Sequence, residues 1–427
     1  MCNKKGVYLD LLKNELIPAV GCTEPIAIAF ACARAREVLH VSGELIRSIN
    51  LELSSNIIKN AMGVGIPGTH MVGIPIAAAL GAVGGDADKG LEVLQDVTEE
   101  HIAAAVRIVD EKLVTTKRAV VPEKLYVKVE LITDDDSACV IIQREHRRIT
   151  DIIHGKEILF HEGLPIESRV ERPVETRISE IYTFALTCDY KTIAFLLEGA
   201  AMNRRIADEG LLKDYGLRVG KTIQHNIDRK ILAEDMKNFA VELAAAAADA
   251  RMAGCMMPVM TNSGSGNQGI TVFLPVVAIA EKLAVSEERL IRALALSNLV
   301  AIHIKQGIGK LSALCGATTA AIGAGCGIVW LLGGNLQAVY AVINNMIGDL
   351  AGIICDGAKT SCSLKVATSV ESAFRSALLA LDNLEVSGLE GIIEDDIEKS
   401  IRNLVKISTQ GMEETDRLIL DIMVAKA

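Results

Sequence analysis

Two long stretches of this chain carry no charged side chain, and they limit the folds that it can adopt. Residues 311–348 and 64–85 contain no Asp, Glu, Lys or Arg. Such stretches fit either a membrane span or helices that are buried on every side within a large core. Turn-forming residues interrupt the longer stretch at Gly333, Gly334 and Asn335. We therefore predict buried helices that end at these residues rather than a membrane span.

The overall composition narrows the class of protein. Half of the 427 residues are hydrophobic, which is far too many for a disordered chain. A chain of this length is expected to form two or three domains. Lys and Arg number 44 against 54 Asp and Glu, a net charge of −10, so no basic surface would attract nucleic acid or anionic lipid. The charged N-terminus lacks an apolar signal sequence, and we expect a cytoplasmic protein whose ten cysteines stay reduced.

Strand patterns are concentrated in one part of the chain. Apolar residues alternate with polar ones around Ile49 and in residues 125–131, and residues 138–144 and 157–163 resemble further strands. Elsewhere, alanine-rich helical patterns dominate. We predict an α+β fold: a mostly helical domain with an inserted smaller α+β domain that contains an antiparallel sheet. The predicted divisions are N-terminal helices that pack back on the helical domain (residues 1–42), the α+β domain (43–170) and the helical domain (171–427).

Three cysteines near the C-terminal end of the chain are candidate ligands. Cys355 and Cys362 flank a turn that contains Gly357, and Cys315 lies in the uncharged stretch. Their spacing does not match a zinc ribbon, but three thiolates suit a four-iron four-sulfur cluster with one iron open to substrate. The alternative is that all three are small buried thiols. Cys326, eleven residues after Cys315, competes for a ligand role because a helix would place both on similar faces.

Cys22 lies in the motif GCTEP, just before a predicted helix. Pro25 suits the first turn of that helix, and Thr23 or Glu24 suits its cap. The positive end of the helix dipole would favour a thiolate at Cys22, which makes this residue a candidate nucleophile or general base. The alternative is that Cys22 only fills space beside the helix.

A glycine-rich loop, TNSGSGNQG at residues 261–269, precedes an apolar helix. Its backbone N–H groups suit a carboxylate or a phosphate, although the loop matches neither a Walker loop nor a dinucleotide motif. A flexible linker remains the alternative. Because Asn and Gln are crowded between the glycines, we favour carboxylate capture. Lys359, between the two late cysteines, is a candidate cation near the carboxylate.

These motifs together resemble a known family. GCTEP, TNSGSGNQG, the Cys315 segment and CDGAKTSC at residues 355–362 occur in the order found in a bacterial family grouped with L-cysteine desulfidases and related to the α-chain of iron–sulfur L-serine dehydratases. The resemblance covers nearly the whole chain. It implies that residues 171–427 form the catalytic domain, that Cys315, Cys355 and Cys362 hold a four-iron four-sulfur cluster, and that Cys22 accepts a proton. The implied reaction converts L-cysteine to pyruvate, ammonia and sulfide.

The motifs also suggest where the substrate binds and which alternatives to test. We expect substrate contacts from Thr23, Glu24, Asn262, Ser263, Gly264, Ser265, Asn267, Gln268 and Lys359. The short gap between Cys355 and Cys362 departs from serine dehydratases and favours cysteine over serine as substrate. The alternatives are an L-serine dehydratase with the same cluster and a non-catalytic amino-acid-binding protein. We expect a homo-oligomer.

Overall fold

The computed structural model describes residues 4–163, 175–309 and 311–425. The first part of the chain contains α1 (Lys4–Glu15), β1 (Pro18–Val20), α2 (Thr23–Leu39), β2 (Ser48–Leu53), α3 (Ser55–Ala61), α4 (Ile74–Gly84), α5 (Glu99–Asp110), β3 (Val114–Arg118), β4 (Tyr126–Ile132), β5 (Ser137–Gln143), β6 (Ile149–His154) and β7 (Glu157–His161). Short 3-10 turns cover Gly43–Leu45 and Ala87–Glu92.

The second part of the chain is almost entirely helical. It contains α6 (Ile178–Thr187), α7 (Leu196–Leu212), α8 (Val219–Asp228), α9 (Met236–Met252), β8 (Pro258–Met260), α10 (Gly266–Lys282), α11 (Glu287–Ile308), α12 (Gly316–Leu331), α13 (Leu336–Leu350), α14 (Cys362–Leu381), α15 (Ile397–Lys406) and α16 (Glu413–Val424). A 3-10 turn at Tyr190–Ile193 precedes α7, and a π-helical turn at Ile407–Gly411 follows α15.

The six-stranded sheet confirms the predicted α+β class. Its strand order is β3-β2-β4-β5-β6-β7, and every neighbouring pair is antiparallel except β2 and β3, which are parallel. The strands expected from the sequence are β2, β4, β5 and β7. We did not predict β3 and β6, because β3 is largely exposed and neither strand alternates cleanly between buried and exposed residues. The sheet is therefore mixed rather than purely antiparallel.

Two hydrophobic cores hold the chain together. One is formed by α1 and the helices from α6 to α15, and the other by α2 to α5 with the sheet. The predicted domain boundary at residues 170 and 171 lies outside the described residues.

We expected both N-terminal helices to pack on the C-terminal region, but only α1 does. The side chains of Tyr8 and Leu12 are buried in the helical core. Helix α2 instead packs between α4 and the strands β4 and β5. It is apolar on nearly every side and must be covered on two faces, which the sheet and α4 provide. The backbones of α2 and α4 approach so closely that a Cβ atom at Gly81 would lie 2.3 Å from the carbonyl oxygen of Ala29.

The long uncharged stretch forms the centre of the helical core. It comprises α12 and most of α13, and Asn335 caps α13 by accepting a hydrogen bond from the Ala338 N–H (3.1 Å). The predicted break at this point is therefore confirmed. Helix α12 packs against α10, α11, α13 and α14. Among the described residues, no helix is both long enough and apolar enough to cross a membrane.

Candidate active site

A short antiparallel pair of strands brings the GCTEP motif beside the glycine-rich loop. Strand β1 pairs with β8, so that Val20 lies opposite Pro258 and Pro18 lies opposite Met260. The backbone N–H of Thr261 donates to the Ile17 carbonyl (3.0 Å) immediately beyond the pair. Because GCTEP follows β1 and the loop follows β8, two motifs that are about 240 residues apart in sequence become neighbours.

The two segments that carry the candidate ligands are also joined by backbone hydrogen bonds. The N–H of Cys315 donates to the Ile353 carbonyl (2.9 Å), and the N–H of Cys355 donates to the Ala313 carbonyl (2.6 Å). The turn between Cys355 and Cys362 crosses α3 at Gly357, which has a φ of +92°. This pairing holds the segments before α12 and α14 side by side.

All of these segments surround one cavity. Its lining includes Cys22, Cys315, Cys355 and Cys362 together with Gly264, Ser265, Asn267 and Gln268 of the loop. The space open to water-sized molecules is about 90 Å³, which accommodates a small metabolite but not a nucleotide. A small apolar cluster of Cys22, Val64 and Met252, with Cys362 packed against it, lies at this point and belongs to neither of the two hydrophobic cores. The cavity thus lies between the two halves of the molecule.

Four helices begin at the wall of the cavity. Cys22, Ser265 and Cys315 are the N-cap residues of α2, α10 and α12, and Cys362 is the first residue of α14. The N-terminal end of a helix carries a partial positive charge from its unpaired N–H groups. Four such ends around one small space favour the binding of negatively charged groups there.

The Cys22 side chain is held by a buried carboxylate. Its thiol donates to Glu24 Oε2 (3.1 Å), and the same carboxylate accepts hydrogen bonds from Thr23 Oγ1 (3.0 Å) and Asn60 Nδ2 (3.1 Å). His146 Nε2 lies 4.0 Å from Glu24 Oε1. Burial opposes ionisation of Glu24, but His146 and the hydrogen bonds from Cys22 and Thr23 outweigh it and lower the pKa of this carboxyl.

The expectation of a Cys22 thiolate is wrong for the resting protein. Cys22 does lie at the helix N-terminus, as predicted. However, burial and the negative charge of Glu24 raise the pKa of the Cys22 thiol well above its ordinary value, although the charge of Arg251 acts in the opposite direction. Cys22 is therefore a protonated thiol that donates a hydrogen bond to an ionised carboxylate.

Two of the candidate ligands, Cys315 and Cys362, also have raised pKa values in the protein alone. Burial, followed by the neighbouring Cys355, raises the pKa of Cys315, and burial raises the pKa of Cys362 to about 12. Lys305 of α11 also lines the cavity, and burial lowers the pKa of its ammonium group to about 8 while Cys355 and Cys315 favour its charged form. A bound metal would displace the thiol protons, and Lys305 would then stabilise the thiolates.

The donor set fits an iron–sulfur cluster better than a single metal ion. Within residues 4–163, 175–309 and 311–425, no three His, Cys, Asp or Glu side chains converge on one point as a single ion requires. Cysteines that bind a cluster ligate different iron atoms and need only line the same space, as Cys315, Cys355 and Cys362 do. Cys326 is excluded from this set: it does not line the cavity, and it lies about 16 Å along α12 from Cys315, buried in the helical core.

Three of the residues expected to bind substrate do not line the cavity. Asn262 donates to Asn298 Oδ1 (3.0 Å) and Ser263 donates to Asn262 Oδ1 (3.0 Å). Both side chains therefore stabilise the loop without facing the cavity. Lys359 forms an ion pair with Asp356 (2.7 Å) and braces the turn between the cysteines. The remaining six do line it: Thr23, Glu24, Gly264, Ser265, Asn267 and Gln268.

Four further polar side chains of the cavity, besides that of Ser312, are not among the expected substrate contacts. These are Asn60, His146, Arg251 and Lys305. They come from α3, the turn between β5 and β6, α9 and α11, which are distant in sequence. None of them belongs to a motif. The only indication of a functional role in the sequence was a single Arg or Lys within an otherwise apolar helical segment.

Comparisons with known proteins identify the family of the chain. The family described as serine dehydratase alpha chain matches residues 88–421. The chain is 47% identical to a UPF0597 protein of Oleidesulfovibrio alaskensis over 423 residues, which is 98% of both chains. It is 47% identical to the UPF0597 protein BF3560 of Bacteroides fragilis over 99% of both chains, and 46% identical to a UPF0597 protein of Aeromonas hydrophila over 98% of this chain and 96% of the relative. The chain therefore belongs to the serine dehydratase alpha chain family.

Proposed function

We propose that this protein is a lyase that eliminates sulfide from L-cysteine and forms pyruvate and ammonia. The observation that carries the proposal is the convergence of Cys22, Cys315, Cys355 and Cys362 with the glycine-rich loop on one small cavity. A cavity that joins three candidate cluster ligands, a paired thiol and carboxylate, and buried cations is suited to an amino-acid substrate. Family membership supports lyase chemistry of the serine dehydratase type.

Cys315, Cys355 and Cys362 would hold a four-iron four-sulfur cluster in this proposal. When bound, such a cluster supplies a Lewis-acidic iron that polarises the substrate and favours departure of the leaving group. The chain's own contribution is to hold the substrate and to exclude water through the apolar helices around α12.

Cys22 and Glu24 together form the proton-accepting unit. Because the resting thiol is protonated, its sulfur can take the α-proton of the substrate only if its own proton passes to Glu24. The ionised state of the Glu24 carboxylate allows this transfer. The Cα–H bond breaks as the proton moves, and the C–S bond then breaks with its electron pair leaving on sulfur. The aminoacrylate that remains takes up water and releases ammonia, which gives pyruvate.

A second candidate is an L-serine dehydratase that uses the same cavity, which the family description favours. The short turn from Cys355 to Cys362 and the thiol-rich cavity favour L-cysteine, because a sulfur leaving group suits a soft metal centre. We also propose that the protein acts in the cytoplasm as a homo-oligomer.

The decisive experiment is anaerobic reconstitution with iron and sulfide, followed by assays of iron content, visible absorption and product. We expect Cys315→Ala, Cys355→Ala and Cys362→Ala to lose both the absorption band and the release of sulfide and pyruvate. Cys326→Ala is the matched control, because it removes a buried thiol from α12 without touching the cavity. Wild-type protein that binds no iron, or a Cys355→Ala variant with full activity, would disprove the proposal.

The same preparation distinguishes the rival functions. Turnover of L-serine equal to that of L-cysteine would contradict our choice of substrate. Thermal stabilisation by an amino acid with no product would instead indicate a binding protein without catalysis.

A further inference from the structure

Arg251 is a buried cation at the wall of the cavity without a charged partner. Arg251 is only 3% exposed, and it lines the cavity from the end of α9. Among the residues that the structure describes, no carboxylate lies within ion-pair distance of its guanidinium, and its Nε atom is buried without a hydrogen-bond partner. Burying an unpaired guanidinium is strongly unfavourable, so a cation placed here points to an anion that binds from the cavity.

The glycine-rich loop is built around this guanidinium. Asn267 Oδ1 accepts a hydrogen bond from Arg251 Nη1 (3.0 Å), which fixes the plane of the group. A Cβ atom at Gly266 would lie 2.2 Å from Arg251 Nε, so only glycine leaves room for the arginine at this position. The loop therefore holds and orients Arg251, which explains why Gly and Asn follow each other here.

The backbone of the loop is largely engaged with itself, which argues against capture of an anion by its N–H groups. The N–H groups of Asn262, Ser265 and Gly269 donate to carbonyl oxygens within the loop. The Gln268 N–H donates to Ser265 Oγ (3.5 Å), and the Ser263 N–H donates to the Glu15 carbonyl (3.1 Å). The side chain of Arg251 is thus the charged donor of this wall that is available for a carboxylate.

The carboxylate of Glu24, which also lines the cavity, has other partners. Glu24 accepts from Cys22, Thr23 and Asn60, as described above. Lys305, the other buried cation of the cavity, has its charged form favoured by Cys355 and Cys315. Gln268 Oε1, in contrast, is a buried acceptor without a partner at the same wall as Arg251. A donor and an acceptor that both lack partners and both line one cavity match the carboxylate and the ammonium group of an α-amino acid.

We propose that Arg251 binds the α-carboxylate of the substrate and that Gln268 accepts a hydrogen bond from its ammonium group. A guanidinium binds a carboxylate through two parallel hydrogen bonds, which orients the α-carbon as well as binding it. This assignment rests on the proposed function for the identity of the reaction, but it concerns binding and is testable without turnover. It restricts the substrates to α-amino acids with a free carboxylate.

The test uses ligands that have no leaving group. Calorimetry on the reconstituted full-length protein compares L-alanine with L-alanine methyl ester, which differs in lacking the carboxylate charge. We expect wild type to bind L-alanine at least about tenfold more tightly than the ester. We expect Arg251→Gln to lose this preference, and Arg251→Lys to retain part of it, because lysine keeps the charge but not the planar fork. Arg417→Gln, an exposed arginine outside this cavity, is the matched control and keeps the wild-type preference.

Each outcome decides the assignment. If Arg251 has a purely structural role, Arg251→Gln should bind L-alanine and its methyl ester less well by the same factor. That result would overturn the assignment. Wild type that binds L-alanine no better than the ester also overturns it, whether or not sulfide is released from L-cysteine. Carboxylate-dependent binding without release of sulfide from L-cysteine would contradict the proposed lyase activity but not the role of Arg251. If Arg251→Gln does not fold, Asn267→Ala replaces it, because this change removes the hydrogen bond that orients the guanidinium, together with a contact to Met252 Sδ (3.4 Å), and should reduce the preference for L-alanine.

Discussion

Replacing Gly357 by alanine is expected to lower the free energy of unfolding by about 2–5 kcal/mol. Gly357 has a φ of +92°, which an L-residue adopts at a penalty of about 1–2 kcal/mol. A Cβ atom there would also lie 2.2 Å from the carbonyl oxygen of Lys59. That oxygen belongs to the backbone of α3 and cannot rotate away, so the turn must shift, and overpacking of this kind typically destabilises by about 1–3 kcal/mol.

The position of Gly357 between Cys355 and Cys362 adds a second consequence. A shifted turn separates these two thiols, so the variant should also bind less iron per chain after anaerobic reconstitution. Urea denaturation followed by circular dichroism measures the first effect, and an iron assay measures the second. Gly352→Ala is the matched control, because it precedes the same turn and has no atom within 4 Å of the added Cβ. A Gly357→Ala variant within about 0.5 kcal/mol of this control would refute the reasoning.

Three further predictions concern charged side chains near the cavity. Glu24→Gln removes the charge that helps to raise the Cys22 pKa, so iodoacetamide should alkylate Cys22 at lower pH than in wild type, while release of sulfide falls. An unchanged pH dependence of alkylation would contradict the pairing of Cys22 with Glu24. Lys59→Met leaves Asp416 without the ammonium group that it contacts and also removes the bond to the Cys355 carbonyl (3.4 Å), and urea denaturation should show a loss of about 2–4 kcal/mol. Burial opposes the ionisation of Asp356, but Lys359 and Lys365 lower its pKa to about 2, so its contribution to stability is present above pH ~4 and is lost as the pH falls toward 2. The difference in unfolding midpoint between wild type and Asp356→Asn should therefore shrink over that interval, and a difference that is constant with pH would exclude the ion pairs as its source.

Local patterns in the sequence predicted the elements that have a clear period. Alternation predicted β2 and β4, the strand-like segments that follow them predicted β5 and β7, and the turn formers at Gly333 to Asn335 predicted the break between α12 and α13. The same reasoning missed β3 and β6, whose pairing depends on neighbouring strands rather than on their own pattern. It also assigned α2 to the wrong core, because an apolar helix does not encode which partner covers it.

The candidate site divides in a similar way. The family resemblance of the motifs predicted that Cys22, Cys315, Cys355 and Cys362 belong to one site, and these residues line the same cavity as six of the expected substrate contacts. The motifs did not identify Arg251, Lys305 or His146, because single residues on separate elements carry no spacing signal.

The sequence by itself determined the α+β class, the helix starts and the residue types available for chemistry. These features depend on interactions between residues that are close along the chain, which periodicity and capping reveal. Only the tertiary structure decided that Cys22 is a protonated thiol against Glu24, that Lys359 braces a turn instead of facing the cavity, and that Arg251 is buried without an anion. Burial and electrostatic environment are set by groups hundreds of residues apart, and they exist only once the two cores have closed around the cavity.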